Sequence, residues 1–116
     1  MSGRTRILLA ALALGVVVLV AACGGKGDPN AAPVAASAIS MQGSEFLPNH
    51  ATVTAGTTVT WRNDDGYPHD VAFDAERSPL METGATFQRT FDETGSFAYE
   101  CTLHPGMVGR VTVTTN

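Results

Sequence analysis

The residues with the clearest chemical potential are three side chains within one short segment, in the pattern Cys101-x-x-His104-x-x-Met107. A thiolate, an imidazole and a thioether separated by two residues each can wrap around one ion. His69, which lies between Pro68 and Asp70, offers a second imidazole from further upstream. Two imidazoles and a thiolate in a plane, with a weak axial methionine, are the donors that a copper site uses. The spacing therefore predicts one copper ion, cycling between Cu(I) and Cu(II).

Each of these residues also has an ordinary structural explanation when taken alone. An isolated cysteine or methionine is commonly a buried apolar side chain, and a single histidine is commonly exposed. Zinc is the competing metal, but structural zinc sites take four strong donors and rarely use a thioether. The joint spacing favours a copper site over these alternatives. His50, the third histidine, has no metal-donor residue nearby in the sequence and is assigned to the surface or a turn.

The elements that position these donors are predicted to be short β-strands. Residues with β-branched and aromatic side chains recur in short runs separated by glycine, proline, asparagine and aspartate, without a helical period. The predicted strands are residues 38–41, 51–54, 57–62, 70–73, 85–91, 96–100 and 108–114. Many short strands at close spacing indicate an all-β sandwich or barrel. Acidic residues in the turns, such as Asp64 and Asp65, are expected to be solvated.

The alternation of side chains along a strand gives each residue a face. Val59 and Trp61 share one face. Residues 97, 99 and 101 also share a face, as do residues 69, 71 and 73, and the apolar members of each set are expected to point inward. Cys101 and His69 are thus expected to face the core at strand ends. Arg89 lies between two aromatic residues of the same parity, which indicates a sheet edge or a bulge.

The first 22 residues are predicted to be a signal peptide of the lipoprotein type. Two arginines precede an apolar run, residues 7–22, that is short for a membrane span. The small residues before Cys23 resemble the bacterial lipobox, in which the cysteine receives the lipid. The alternative is an uncleaved membrane anchor with an incidental cysteine. Both interpretations place the protein outside the cytoplasm, and residues 23–37 are expected to form a lipidated N-terminus and flexible linker.

The remaining residues, 38–116, suffice for one small domain. Without the predicted signal peptide, the chain has five basic and eleven acidic residues, so nucleic acid is not an expected partner. A monomer is expected. Disulfide pairing of Cys23 with Cys101 is set aside because lipidation and metal binding explain each cysteine better.

Residues 59–63, 68–73 and 95–109 together resemble the blue copper proteins, or cupredoxins, and most closely the amicyanin branch of the plastocyanin group. The short spacing of the ligand loop carries the likeness to amicyanin. The resemblance implies a Greek-key β-sandwich of seven to eight strands. It also implies His69, Cys101 and His104 as strong copper ligands, with Met107 as the axial one.

One position departs from the family pattern. The family usually has asparagine after the first histidine, where its amide ties the two ligand loops together, whereas this chain has Asp70. An ionised carboxylate only accepts hydrogen bonds, and Thr102 is the expected donor to it. The carboxylate is expected to stabilise oxidised copper and so to lower the reduction potential relative to an Asp70→Asn variant.

The resemblance implies a carrier of single electrons between two redox proteins, a donor and an acceptor, rather than an enzyme. His104 would be the exit for the electron, and Tyr67 and Leu103 either form an apolar patch around it or only cover the metal loop. A multicopper enzyme would need more histidines than the three in this chain. Copper delivery or buffering is the stronger alternative, with Met41 and Met81 as further soft donors. A metal-free adhesive sandwich would require the donor spacing to be a coincidence.

Overall fold

The computed structural model describes Asp28 and residues 30–116. The predicted signal peptide and the predicted lipidation site, Cys23, lie outside the described residues, as does the first part of the predicted linker. Within the described residues there is no helix with the length and apolar character needed to cross a membrane.

Eight β-strands make up the regular structure of the described part. In chain order they are β1 (Val34–Ala35), β2 (Ala38–Gln42), β3 (Glu45–Leu47), β4 (His50–Thr54), β5 (Thr57–Asn63), β6 (Thr86–Phe91), β7 (Gly95–Glu100) and β8 (Val108–Thr114). They form two four-stranded sheets, with the orders β1-β4-β8-β7 and β3-β2-β5-β6. The chain therefore passes from one sheet to the other after β1, after β3, after β4 and after β6. The predicted all-β sandwich is confirmed.

The core lies between the sheets and follows the predicted alternation. Val59 and Trp61 of β5 are fully buried, while Thr60 between them is not. Trp61 is the central side chain: its ring packs against four aromatic rings, those of Phe73, Phe87, Phe91 and Tyr99. Burial of large aromatic surface supplies much of the stability of so small a domain.

Two strands had not been predicted. β3 follows β2 through the two-residue turn Gly43-Ser44, whose residues both have positive φ angles of 63° and 55°. Positive φ at both central residues is the requirement of a tight type I′ hairpin turn, which Gly43 meets without steric cost. β1 lies within the predicted linker and pairs in parallel with β4, so the sheet reaches further towards the N-terminus than expected.

The predicted strand at 70–73 is wrong, because this segment forms only isolated bridges. Ala72 pairs with Arg77 on one side and with Glu100 on the other. The segment folds back on itself too soon to extend a sheet.

Arg89 lies on β6, an edge strand in regular register with β5. Of the two predicted explanations for its position between aromatic residues, the sheet edge is therefore correct and the bulge is not.

Candidate metal centre

The loop that carries three of the predicted ligands connects β7 to β8. Cys101 directly follows β7 and Met107 directly precedes β8. The amide of Cys101 donates to the carbonyl of Met107 at 2.9 Å, and the amide of Met107 donates to the carbonyl of His104 at 3.1 Å. Gly106, with a φ of 84°, allows the tight turn. The loop is thus closed at its base by the paired strands and by its own backbone.

His69 reaches the same end of the sandwich from a different segment. Its amide and carbonyl form two hydrogen bonds with Met81, of 3.1 and 2.8 Å, and the residue is fully buried. These bonds fix the backbone of His69 without a full strand. The predicted inward orientation of His69 and Cys101 is correct.

Three donor atoms converge at this point. His69 Nδ1 lies 3.1 Å from His104 Nδ1, and the sulfur of Cys101 lies 3.6 Å from each of these nitrogens. With metal bonds of about 2.0 Å to nitrogen and 2.3 Å to sulfur, a trigonal plane separates its donors by about 3.5 and 3.7 Å. The arrangement therefore fits one ion between two imidazoles and a thiolate. Among the residues that the structure describes, it is the one group of three such donors.

Met107 is fully buried at the end of the same loop. Its position next to β8 is set by the backbone bonds of the loop. Its role as the fourth, axial donor remains a prediction.

Asp65 is a site residue that the sequence analysis missed. Its Oδ2 atom accepts a hydrogen bond of 2.7 Å from Nε2 of His69, and the amides of Gly43 and Ser44 donate to the same carboxylate at 2.7 and 3.0 Å. The proton on Nε2 leaves the lone pair of Nδ1 directed towards the other donors. The predicted solvation of Asp65 is wrong, because the residue is buried.

The hydrogen bonds of Asp65 determine its ionisation. Burial by itself raises the pKa of this carboxyl, but the donors Ser44, His69 and Gly43 outweigh burial and hold the pKa below the ordinary 3.8. The sequence signal for this role was available: Asp65 precedes His69 by four residues, across the turn that follows β5. A carboxylate on the outer nitrogen of a metal-binding histidine is a common arrangement.

Asp70 joins the two segments that carry the ligands, as predicted, through Thr102. The amide of Thr102 donates to Oδ1 of Asp70 at 2.7 Å, and its hydroxyl donates to Oδ2 at 2.6 Å. Arg77, which the sequence analysis did not single out, also contacts the carboxylate, with Nε at 2.8 Å. Burial raises the pKa of Asp70, but the bonds from Thr102 and the contact with Arg77 together lower it below 3.8.

Comparison with known proteins identifies the family. A family model described as copper binding proteins of the plastocyanin/azurin family matches residues 33–114. The chain belongs to this family. An amicyanin from Paracoccus versutus is 38% identical over 88 residues, which cover 70% of this chain and 67% of that protein. A plastocyanin from Mercurialis perennis is 35% identical over 85 residues, covering 59% of this chain and 86% of the relative.

A solved structure shows the same relationship in three dimensions. The purple cupredoxin from Nitrosopumilus maritimus superimposes with a TM-score of 0.64 at 33% sequence identity, covering 68% of this chain and all of that one. The predicted resemblance to the cupredoxins is confirmed, and so is copper as the cofactor. His69, Cys101 and His104 form the candidate copper site of this family member, and Met107 is the predicted fourth ligand.

The surface of this cupredoxin beside the candidate site is partly apolar. Tyr67 and Leu103 are 42% and 43% exposed, and His104, which follows Leu103 in the chain, is partly exposed. The ring of Tyr67 packs against the rings of both His69 and His104, while its hydroxyl lies 2.9 Å from that of Ser44. Tyr67 therefore both covers the histidines and contributes to the exposed surface.

His50 does not belong to the metal centre. It begins β4 and is partly buried, with Nδ1 2.8 Å from the carbonyl of Ala31 and Nε2 2.8 Å from the hydroxyl of Thr112. The prediction that His50 lies at the surface or in a turn is therefore incorrect in part. Its hydrogen bonds connect the segment before β1 to β8.

Proposed function

We propose that this protein is a type 1, or blue, copper protein that carries single electrons between a donor and an acceptor protein. His69, Cys101 and His104 would be the strong ligands and Met107 the axial one. The observation that carries this proposal is the convergence of two imidazole nitrogens and one thiolate sulfur within 3.1 to 3.6 Å of one another. Such a donor set with a weak fourth ligand is typical of electron-transfer copper sites.

Bound copper would supply the one-electron chemistry by alternating between its cupric and cuprous states. The chain contributes a site that changes little between them. The backbone bonds between Cys101 and Met107 hold the loop, and those between His69 and Met81 hold the other ligand segment. Asp65 fixes the ring of His69. Small rearrangement on electron gain or loss is what permits rapid transfer.

The electron would enter or leave through His104. Tyr67 and Leu103 provide exposed apolar surface beside this residue, and Tyr67 contacts its ring. An apolar patch of this kind suits a short-lived encounter with a redox partner, whose charged groups would otherwise have to be desolvated. We infer that the protein acts as a monomer.

We further propose that the protein works outside the cytoplasm and is held to a membrane by lipid on Cys23. The supporting observations are the apolar run at 7–22 and the small residues that precede Cys23. Acyl chains contribute about 0.8 kcal/mol per buried methylene, so more than one chain is needed for firm attachment.

Copper delivery or buffering is the second candidate function. It would gain support from additional soft donors at the surface near the site. Met41 and Met81 are instead buried in the hydrophobic core, at 0% and 2% exposed. Their burial favours the electron carrier. A multicopper enzyme is disfavoured by the three histidines of the chain, of which His50 is engaged elsewhere.

The decisive experiment is addition of Cu(II) to the purified full-length chain. We expect an intense visible absorption band from the copper–thiolate bond, and a reversible one-electron wave in voltammetry. The band should be absent in Cys101→Ser and lost or strongly altered in His104→Gln, and it should persist in the control His50→Gln. Absence of copper binding, or a band unchanged in Cys101→Ser, would refute the proposal. Tight Cu(I) binding without a stable oxidised form would instead support copper delivery.

A further inference from the structure

We propose that Arg77 is a positioning residue of the copper site, which acts through Asp70 and Thr102 as a charge-balanced clamp between the two ligand segments. The proposal rests on the proposed function, because the clamp is expected to influence the reduction potential of bound copper. In this clamp an ion pair takes the place of the neutral amide that the family resemblance implies at position 70.

The clamp joins the residue after His69 to the residue after Cys101. Both oxygens of the Asp70 carboxylate accept hydrogen bonds from Thr102, one from its amide at 2.7 Å and one from its hydroxyl at 2.6 Å. The carboxylate therefore connects the two loops only by accepting hydrogen bonds. It does so as a buried anion, since the side chain of Asp70 is 1% exposed.

Arg77 supplies the compensating charge. Its guanidinium reaches Oδ2 of Asp70 with Nε at 2.8 Å and with a terminal nitrogen at 2.7 Å, and the same terminal nitrogen donates to the hydroxyl of Thr102 at 2.9 Å. All three members of the clamp thus contact one another. A buried carboxylate without such a partner is strongly unfavourable, so Arg77 is what allows an acid in place of an amide here.

The fold places Arg77 opposite Asp70 by a short backbone turn. The amide of Phe73 donates to the carbonyl of Glu76 at 2.7 Å, and the amide of Ser78 donates to the carbonyl of Val71 at 2.8 Å. These bonds fold residues 71–78 back on themselves, with Ala72 and Arg77 as bridge partners. The same segment that does not extend into a strand is therefore the one that delivers the guanidinium.

The charges of the clamp predict the direction in which each substitution shifts the reduction potential, whereas hydrogen bonding alone predicts no direction. Removing the positive charge of Arg77 leaves an uncompensated carboxylate beside the site, which favours cupric over cuprous copper and lowers the reduction potential. Removing the negative charge of Asp70 leaves the guanidinium and raises the potential. A double replacement removes both charges, so its potential should lie between those of the two single variants.

The test measures the reduction potential of the copper-loaded full chain in Arg77→Gln, Asp70→Asn and the double variant. Arg62→Gln is the matched control, because Arg62 also pairs with an aspartate and its side chain is 61% exposed, against 59% for Arg77. We expect Arg77→Gln and Asp70→Asn to change the ratio of Cu(II) to Cu(I) affinity roughly threefold to tenfold in opposite directions. Arg77→Lys should keep most of the wild-type potential.

Shifts of both single variants in the same direction would overturn the proposal, as would an Arg77→Gln shift no larger than that of Arg62→Gln. A measurement on the metal-free chain separates this outcome from failure of the proposed function. The amide of Thr102 should exchange its hydrogen roughly threefold or more faster in Arg77→Gln than in the wild type or in Arg62→Gln. If the wild-type chain forms no blue site, the proposed function fails, and unchanged Thr102 exchange then also refutes the clamp.

Discussion

The carboxylate of Asp65 lies 2.7 Å from Nε2 of His69, on the side of the imidazole opposite the converging donor atoms. Because the carboxylate can only accept, this contact sets the tautomer of the ring and its orientation together. It also connects the metal centre to the β2–β3 turn, whose amides at Gly43 and Ser44 hold the carboxylate.

Replacement of Asp65 by asparagine should weaken copper binding by about 10-fold to 100-fold. The amide group of asparagine cannot accept bonds from all three donors, so the ring of His69 loses its fixed position. Competition titration with a copper chelator measures the effect. The control is Asp64→Asn, which removes the same charge from the neighbouring position, where the partners are Arg62 and Ser40. Wild-type affinity in Asp65→Asn would contradict this role.

Replacement of Met107 by leucine should leave the protein folded and still able to bind copper. Leucine is close to methionine in volume, so the loss of stability should be less than about 1.5 kcal/mol at this buried position. We expect the reduction potential to rise, because the weak axial donor is lost while the three strong donors remain. Voltammetry and visible absorption measure this. An unchanged potential and spectrum would show that the thioether is not a ligand.

Replacement of Gly109 by alanine should destabilise the protein although Gly109 lies in a regular strand. A Cβ atom there would stand 2.3 Å from Cζ of Tyr99, whose ring is buried. Either the ring or β8 must move, and we expect a loss of about 1 to 3 kcal/mol in the free energy of unfolding. Gly66→Ala is the control, because a Cβ atom there would have no atom within 4 Å apart from those of its chain neighbours. Equal denaturation midpoints for the two variants would be inconsistent with the close packing.

Replacement of Arg89 by glutamine should lower the free energy of unfolding by about 1 to 2 kcal/mol. The guanidinium carbon lies 4.2, 4.7 and 5.3 Å from the ring centroids of Phe73, Phe91 and Phe97. Its charge interacts with the faces of these rings at the open edge of β6. Urea denaturation compares it with Arg62→Gln, for which a change below about 0.5 kcal/mol is expected. Similar losses in both variants would argue against the cation–π contribution.

Much of the fold was predictable because inward-facing and outward-facing residues alternate regularly along the strands where the two sheets face each other. Val59 and Trp61 on β5 reveal their face by spacing alone. The segment after His69 misled this approach, because its apolar residues, Val71 and Phe73, have the parity of a strand. Val71 is buried and Phe73 partly buried because the chain folds back in a turn, which depends on the bonds between Val71 and Ser78 and between Phe73 and Glu76. Such pairings are not encoded in a local pattern.

The convergence of His69, Cys101 and His104 was predictable for a different reason: few residue types bind copper, and two of these three lie three positions apart on one loop. The sequence analysis missed Asp65 although it lies four residues before His69, and it missed Arg77 because the contact of Arg77 with Asp70 depends on the tertiary structure. An aspartate in a turn and an exposed arginine both look like solvated charges in a sequence. Only the structure shows that Asp65 is bound to His69 and Arg77 to Asp70.

The distance along the chain between His69 and Cys101 has a consequence for how the protein matures. The two residues are 32 positions apart and follow β5 and β7, strands that belong to opposite sheets. A nascent or partly denatured chain therefore presents a cysteine and a histidine on one loop but not the complete donor set. Since an ion would gain its full coordination only in the folded topology, bound copper is expected to stabilise the folded chain against unfolding.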